Sequence, residues 1–385
     1  MWKRNPCVLY GLLGLLLAVA GQFLTVKFNY GGDPTALFYT GRQTAIPESL
    51  GENLYRSPEA EGFDGQFYHL IAHDPFLDKG YSSAVDNPRL RWRRILVPLA
   101  AYALAFGRSG WIDAAYFAVT AGFVFLGVYW LALLARDHGL HASLGLLFLT
   151  LPAVFMSLER MTVDLALAAL TAGFVVYLRT PGWKLFAVLA AAPLARETGL
   201  LLLAGYGLHV LLTRNWRNVV WSAGSVLPFG LWIVFVHTHT SSDATAWAAS
   251  FPFSGLLRGT INPFPFEITG AWVGAAAITD YLGILAIWIA IAAALILFRK
   301  QRHEPATLAG LGFVLLAAFL GKEDVWQQTY GFSRIFSPWF LLLAVAALRQ
   351  NAKWMLAPWA LSLPRIAVQA WVHVPGIVSG FARGK

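Results

Sequence analysis

The segment Gly62-Phe63-Asp64-Gly65-Gln66-Phe67-Tyr68-His69-Leu70-Ile71-Ala72 holds the residue types best suited to chemistry in this chain. A carboxylate stands between two glycines, ahead of an aromatic, half-apolar stretch. The pattern predicts a helix with Asp64 near its N-cap, where free amides and the helix dipole favour negative charge. A carboxylate so placed can act as a general base toward a hydroxyl. It can equally be a structural cap on an amphipathic surface helix. Asp33, within Gly31-Gly32-Asp33-Pro34, is a second candidate acid, although its neighbours suit a turn. His69 and His73 are four apart and share a helical face. With two imidazoles and no evident third ligand, no metal site is expected there.

The run Arg89-Leu90-Arg91-Trp92-Arg93-Arg94 follows. Guanidinium forks bind phosphate oxygens bidentately. The cluster therefore suits either the phosphate of a lipid-linked substrate or ordinary anionic headgroups. Three more polar sets interrupt apolar sequence: Glu159-Arg160 with Asp164, Arg196-Glu197, and Lys322-Glu323-Asp324 with Arg334. Ionisable groups in such a setting are functional candidates by default. Arg160 and Asp164 are four apart, a spacing that allows pairing on one helical face. The sets are expected to line a common polar cavity, with mutual pairing at helix ends as the alternative. There is no glycine-rich phosphate loop, Gly-x-Ser-x-Gly elbow or His-Glu-x-x-His motif, so nucleotide chemistry in the cytoplasm is unsupported.

The elements that must position these residues are apolar helices. Of 385 residues, 57% are hydrophobic and only 13% charged, where a soluble domain carries about 25% charged residues. Mean hydropathy is +0.57. The net charge of +9 fits basic residues retained in cytoplasmic loops rather than nucleic-acid binding. Cys7 is the only cysteine, which excludes an intrachain disulfide and a cysteine-based metal cluster.

A spanning helix needs about 20 apolar residues. Candidate spans lie near 8–26, 111–135, 141–156, 161–179, 183–195, 198–213, 217–237, 272–298, 305–320 and 336–348. The stretch 354–372, with Pro358 and Pro364, is a further span or an interfacial segment. The expected fold is an all-α polytopic transmembrane bundle of about 10–11 spans, forming one membrane domain over 1–385. Ala18-Val19-Ala20 resembles a signal-peptidase site, but the run before it is long enough to span, and an uncleaved first helix is expected.

Lys3 and Arg4 put the N-terminus in the cytoplasm, and most later basic residues agree if residues 94–107 do not cross. Two large loops then face outward, 27–110 with juxtamembrane or re-entrant helices, and 238–271 with Trp247, Phe251, Phe253, Phe264 and Phe266. The first loop holds nine of the 20 acidic residues. Positive-inside sorting explains its few lysines better than its many acids.

Several of these segments resemble the GT-C membrane glycosyltransferases. Asp64-Gly65-Gln66-Phe67-Tyr68 with Ala72 resembles their first-loop pattern. Arg93-Arg94-Ile95-Leu96-Val97-Pro98, Thr162-Val163-Asp164 and Ala195-Arg196-Glu197-Thr198 resemble segments of uncharacterised bacterial members. The likeness covers roughly residues 8–215. It implies a multi-pass protein of the bacterial inner membrane that moves a sugar from a polyprenyl-phosphate donor to a lipid, glycan or protein acceptor on the outer face. Asp64 would activate the acceptor, and Arg89, Arg91, Arg93 and Arg94, or Arg196, would hold the donor phosphate. No organic cofactor is implied. Asp64 lacks the second acid that follows it in some members, which leaves a metal requirement open. A transporter or flippase of a lipid-linked sugar or anion is the alternative, although no inverted repeat is evident.

Overall fold

The run from Pro6 to Asn29 carries no charge before Lys27 and forms one long helix, α1 (Pro6–Asn29). In the computed structural model, residues 6–241, 248–249, 251–261 and 272–383 are described, without the side chains of Trp272, Glu323 and Asp324. The loop after α1 folds into 3-10 turns and three short helices, α2 (Asp64–His73), α3 (Pro88–Trp92) and α4 (Leu96–Leu104). The chain then enters α5 (Ser109–Asp137).

Helices α1 and α5 are antiparallel. Cys7 packs with Ala132 at one end, while Gln22 and Tyr116 both hydrogen-bond Met161 at the other. The first loop therefore leaves and re-enters the bundle on one side, the loop face. Helix α4 has nine residues, about 14 Å at 1.5 Å per residue, and does not cross. Its length falls short of a hydrocarbon core of about 30 Å.

A 3-10 turn, Ala142–Thr150, bends by 61° into α6 (Pro152–Arg160). Met161 then takes a left-handed conformation, φ 47°, and ends that helix. The remaining helices are α7 (Asp164–Tyr177), α8 (Trp183–Ala195), α9 (Leu200–Leu212), α10 (Trp216–His239), α11 (Ser254–Ile261), α12 (Trp272–Lys300), α13 (Pro305–Phe319), α14 (Glu323–Trp326), α15 (Thr329–Gln350), α16 (Ala357–Trp371) and α17 (Val374–Ala382).

Among the described residues, five helices, α1, α5, α10, α12 and α15, are long and apolar enough to cross a membrane, or six spans if the bent pair counts as one. The fold is thus an all-α, multi-pass membrane bundle. Helices α7, α8, α9 and α13 have 13 to 15 residues. That is about 20 Å, less than a hydrocarbon core of about 30 Å. Hydropathy reads ten to eleven spans because it registers apolar composition and not helix length. Helix α7 shows why short helices persist: nearly all of its residues are buried against neighbours.

Helix α16 carries Pro364 and the buried Arg365, which pairs with Asp280 of α12 at 3.3 Å. Helix α17 returns to α1, where Phe381 packs on Phe28. Within the loop 238–271, Phe253 donates its amide to the Ala318 carbonyl at 2.6 Å, while Trp247, Phe264 and Phe266 lie outside the described residues.

Candidate active site

The Gly62–His69 motif is explained residue by residue at the loop face. Phe63, in extended backbone, takes the cap position of α2, and Asp64 is the first helical residue. The expected capping role is therefore not filled by Asp64, and its carboxylate points to guanidiniums instead. Arg91 Nη1 lies 2.9 Å from one carboxylate oxygen, and Arg334 Nη2 lies 2.9 Å from the other. The flanking aromatics seat those cations: Arg334 sits over the Phe63 ring and Arg91 over the Phe67 ring, 5.3 and 4.9 Å from the centroids.

The two glycines are steric requirements. A side chain at Gly65 would run into the Arg160 carbonyl and lie 2.9 Å from that of Phe38. One at Gly62 would meet the backbone of Tyr39 and Gly41. The start of α2 thus packs backbone to backbone on the end of α6. Gln66 fixes the loop above it, accepting from the Gly41 amide at 3.0 Å and the Thr44 hydroxyl at 2.7 Å.

Asp64 feels opposing effects. Burial would raise its pKa, but the charges of Arg334 and Arg91, then Arg94 and Arg196, hold it well below the usual carboxylate range. From Asp64 a line of ion pairs runs inward. Arg334 reaches Asp164 at 3.7 Å, and Asp164 pairs with Arg196. Beside it Arg94 pairs with Glu197 at 3.0 Å and donates to the Tyr68 hydroxyl at 3.0 Å. Arg91 also pairs with Asp86 at 2.7 Å. Part of each of the three sets separated in sequence thus converges here: Asp164, Arg196 with Glu197, and Arg334.

Two cavities flank α3. The first, about 690 Å³, is lined by Asp64, Arg91, Arg334, Gln66, Gln328 and Tyr330, among others. The second, about 390 Å³, is lined by Arg89, Arg93, Arg94, Arg196 and Glu197 together with Leu90, Leu316, Leu320 and Ile335. The arginine run is thus split. Arg91 lies two residues, about 200° of helix, from Arg89 and from Arg93 and faces the opposite cavity. Arg89 is further committed to structure, donating to the carbonyls of Thr240 and, at 3.3 Å, His237 at the end of α10.

Other expectations need correction. Arg160 and Asp164 do not pair, because Met161 breaks the helix between them and sends them to separate partners. Arg160 lies 3.3 Å from Glu159 and stacks 3.5 Å from the Tyr39 ring centroid. Glu159 accepts from Tyr330, from Gln369 at 3.1 Å and from His373 at 2.9 Å. It joins α6, α15 and α16 behind the first cavity rather than lining it. Asp33 caps a turn, accepting from the amide and hydroxyl of Thr35 at 2.9 and 2.7 Å, and lines neither cavity. Lys322 lines neither as well, and the Glu323 side chain lies outside the described residues.

His69 and His73 are fully buried behind α2, away from both cavities. There they meet Glu52 and Asp113, two carboxylates that sequence reading left unassigned. The i, i+4 histidine spacing was the one available signal. No known family model, curated protein or solved structure matches this chain.

Proposed function

We propose that this protein is a membrane glycosyltransferase of GT-C type, moving a sugar from a polyprenyl-phosphate donor to an acceptor hydroxyl at the loop face, with that face outward. One observation carries the reading: Asp64, gripped by Arg91 and Arg334, on the wall of a cavity of about 690 Å³. Such a site supplies a carboxylate to take a proton and two cations to take an anion. In the transfer, the acceptor hydroxyl gives its proton to Asp64 while its oxygen bonds the anomeric carbon. The bond from that carbon to the phosphate oxygen breaks, and the phosphate leaves with the electron pair. Arg91 and Arg334 hold the charge that develops there.

The ion pairs also bear on basicity. A carboxylate held far below its ordinary range is a weak base. As charge grows on the leaving phosphate, it draws the two guanidiniums from Asp64, and the carboxyl regains basicity.

The test is release of polyprenyl phosphate by purified protein across a panel of polyprenyl-phosphate sugars. Asp64→Asn and Asp64→Glu should each lower release by about 10²-fold or more. The glutamate keeps the charge that the arginines need, so its loss of turnover reports geometry. Full release by a folded Asp64→Asn protein would overturn the assignment. Vesicle transport without any donor turnover would replace it with a transporter.

A further inference from the structure

We propose that Glu52, His69, His73 and Asp113 form a structural site for a divalent transition metal of zinc type, which fastens the first loop and α2 to the start of α5. The four residues come from three separate pieces of chain. Glu52 follows a 3-10 turn in the loop, His69 and His73 lie on one face of α2, and Asp113 sits in the second turn of α5. Their ligand atoms all fall within 4.8 Å of one another.

The spacing is that of a coordination shell. His69 Nε2 lies 3.4 Å from Glu52 Oε2, and His73 Nε2 lies 3.6 Å from Glu52 Oε1 and 3.9 Å from Asp113 Oδ1. Four ligands at about 2.0–2.1 Å in a tetrahedron are about 3.4 Å apart. Only the His69–Asp113 contact, at 2.7 Å, has hydrogen-bond length.

His73 supplies the second argument. It is fully buried, and among the described residues neither of its ring nitrogens has a hydrogen-bond partner. A buried imidazole left so is costly. Its Nε2 is aimed between two carboxylates that cannot donate when ionised. A cation at the centre takes His73 Nε2 and both acids at once. Two carboxylates and two neutral imidazoles balance a divalent ion. Imidazole donors favour zinc-type metals over magnesium or calcium.

The site is distinct from the one built on Asp64. His69 is five residues further along α2, about 140° around the helix, and neither histidine lines either cavity. Four protein ligands leave no open position, which is the form of a structural site. The side chains of Glu52 and Asp113, 22% and 27% exposed, give the ion its way in.

The competing arrangement is a proton on His69 bridging the two acids, with His73 left unbonded. Full-length protein, purified in detergent through an affinity tag that uses no metal, separates the two. Elemental analysis after zinc loading and desalting should find about one equivalent per chain. Cobalt should give the visible absorption of a tetrahedral ion, and chelation should lower the melting temperature, restored by zinc. His73→Asn and Asp113→Asn should each lose the metal. Folded wild-type protein that retains no zinc and gives no cobalt spectrum would overturn the site, as would unchanged zinc content in His73→Asn. Neither readout involves sugar transfer.

Discussion

Neutralising Asp64 should damage the fold, and neutralising Arg334 as well should repair part of the damage. Each carboxylate oxygen of Asp64 serves one guanidinium at 2.9 Å. In Asp64→Asn, Arg91 keeps Asp86 at 2.7 Å, whereas among the described residues Arg334 keeps only Asp164, at 3.7 Å. Arg334 therefore carries most of the penalty. Unit charges about 4 Å apart attract by about 4 kcal/mol at an effective dielectric constant near 20. Breaking a buried pair from one side costs about 3–5 kcal/mol, because the other charge stays buried without its partner. Slight exposure of both side chains and the retained Asp164 reduce this, and about 2–3 kcal/mol is expected. Arg334→Gln alone should cost a similar amount. The double variant should be more stable than the sum of the two losses by about 1–3 kcal/mol. The assay is reversible unfolding in mixed micelles for wild type, both singles and the double. Additive losses would show that the pair is a geometric coincidence and that Asp64 is neutralised by something else.

Acid should narrow the gap between wild type and Asp64→Asn. Folding depresses this carboxyl, so its stabilisation is complete above the ordinary value of about 4 and is lost as pH falls below it; the gap should be flat from pH 8 to 5, and a gap that closes near pH 6 would contradict the pairing. Gly65→Ala should cost at least about 1–3 kcal/mol, because the new methyl meets backbone on both sides, at Arg160 and Phe38. Gly21→Ala, inside α1 and facing open space, should keep or slightly raise the melting temperature, and equal losses in the two alanine variants would refute the close approach of α2 to α6.

Much of this was legible in the sequence, and the limits have physical causes. Apolar runs marked nearly every helix, since burial in lipid and burial in protein demand the same composition. That same degeneracy hid which helices are long enough to span. Asp64 stood out because glycines and aromatics bracket it, and the structure gives each bracket a task. Its partners did not stand out equally. Arg91 lay within a visible cluster, but a run of arginines does not disclose which face of a one-turn helix each occupies. Arg334 was one charge among several at a helix start. Glu52 and Asp113 were invisible as a pair because their closeness arises only when α2 docks against α5. Met161 was the subtlest omission: its left-handed backbone breaks the register that would have joined Arg160 to Asp164, and nothing in methionine's chemistry announces that conformation.

The ion-pair line has a consequence for biogenesis. Asp64 and Arg91 are made early and lie outside the bundle, Asp164 and Arg196 follow at helix ends, and Arg334 arrives only with α15. Until that helix inserts, Asp64 and Asp164 each lack one of the two cations that neutralise them in the finished protein. The geometry of the candidate site is consequently completed by the late part of the chain, through Arg334 of α15.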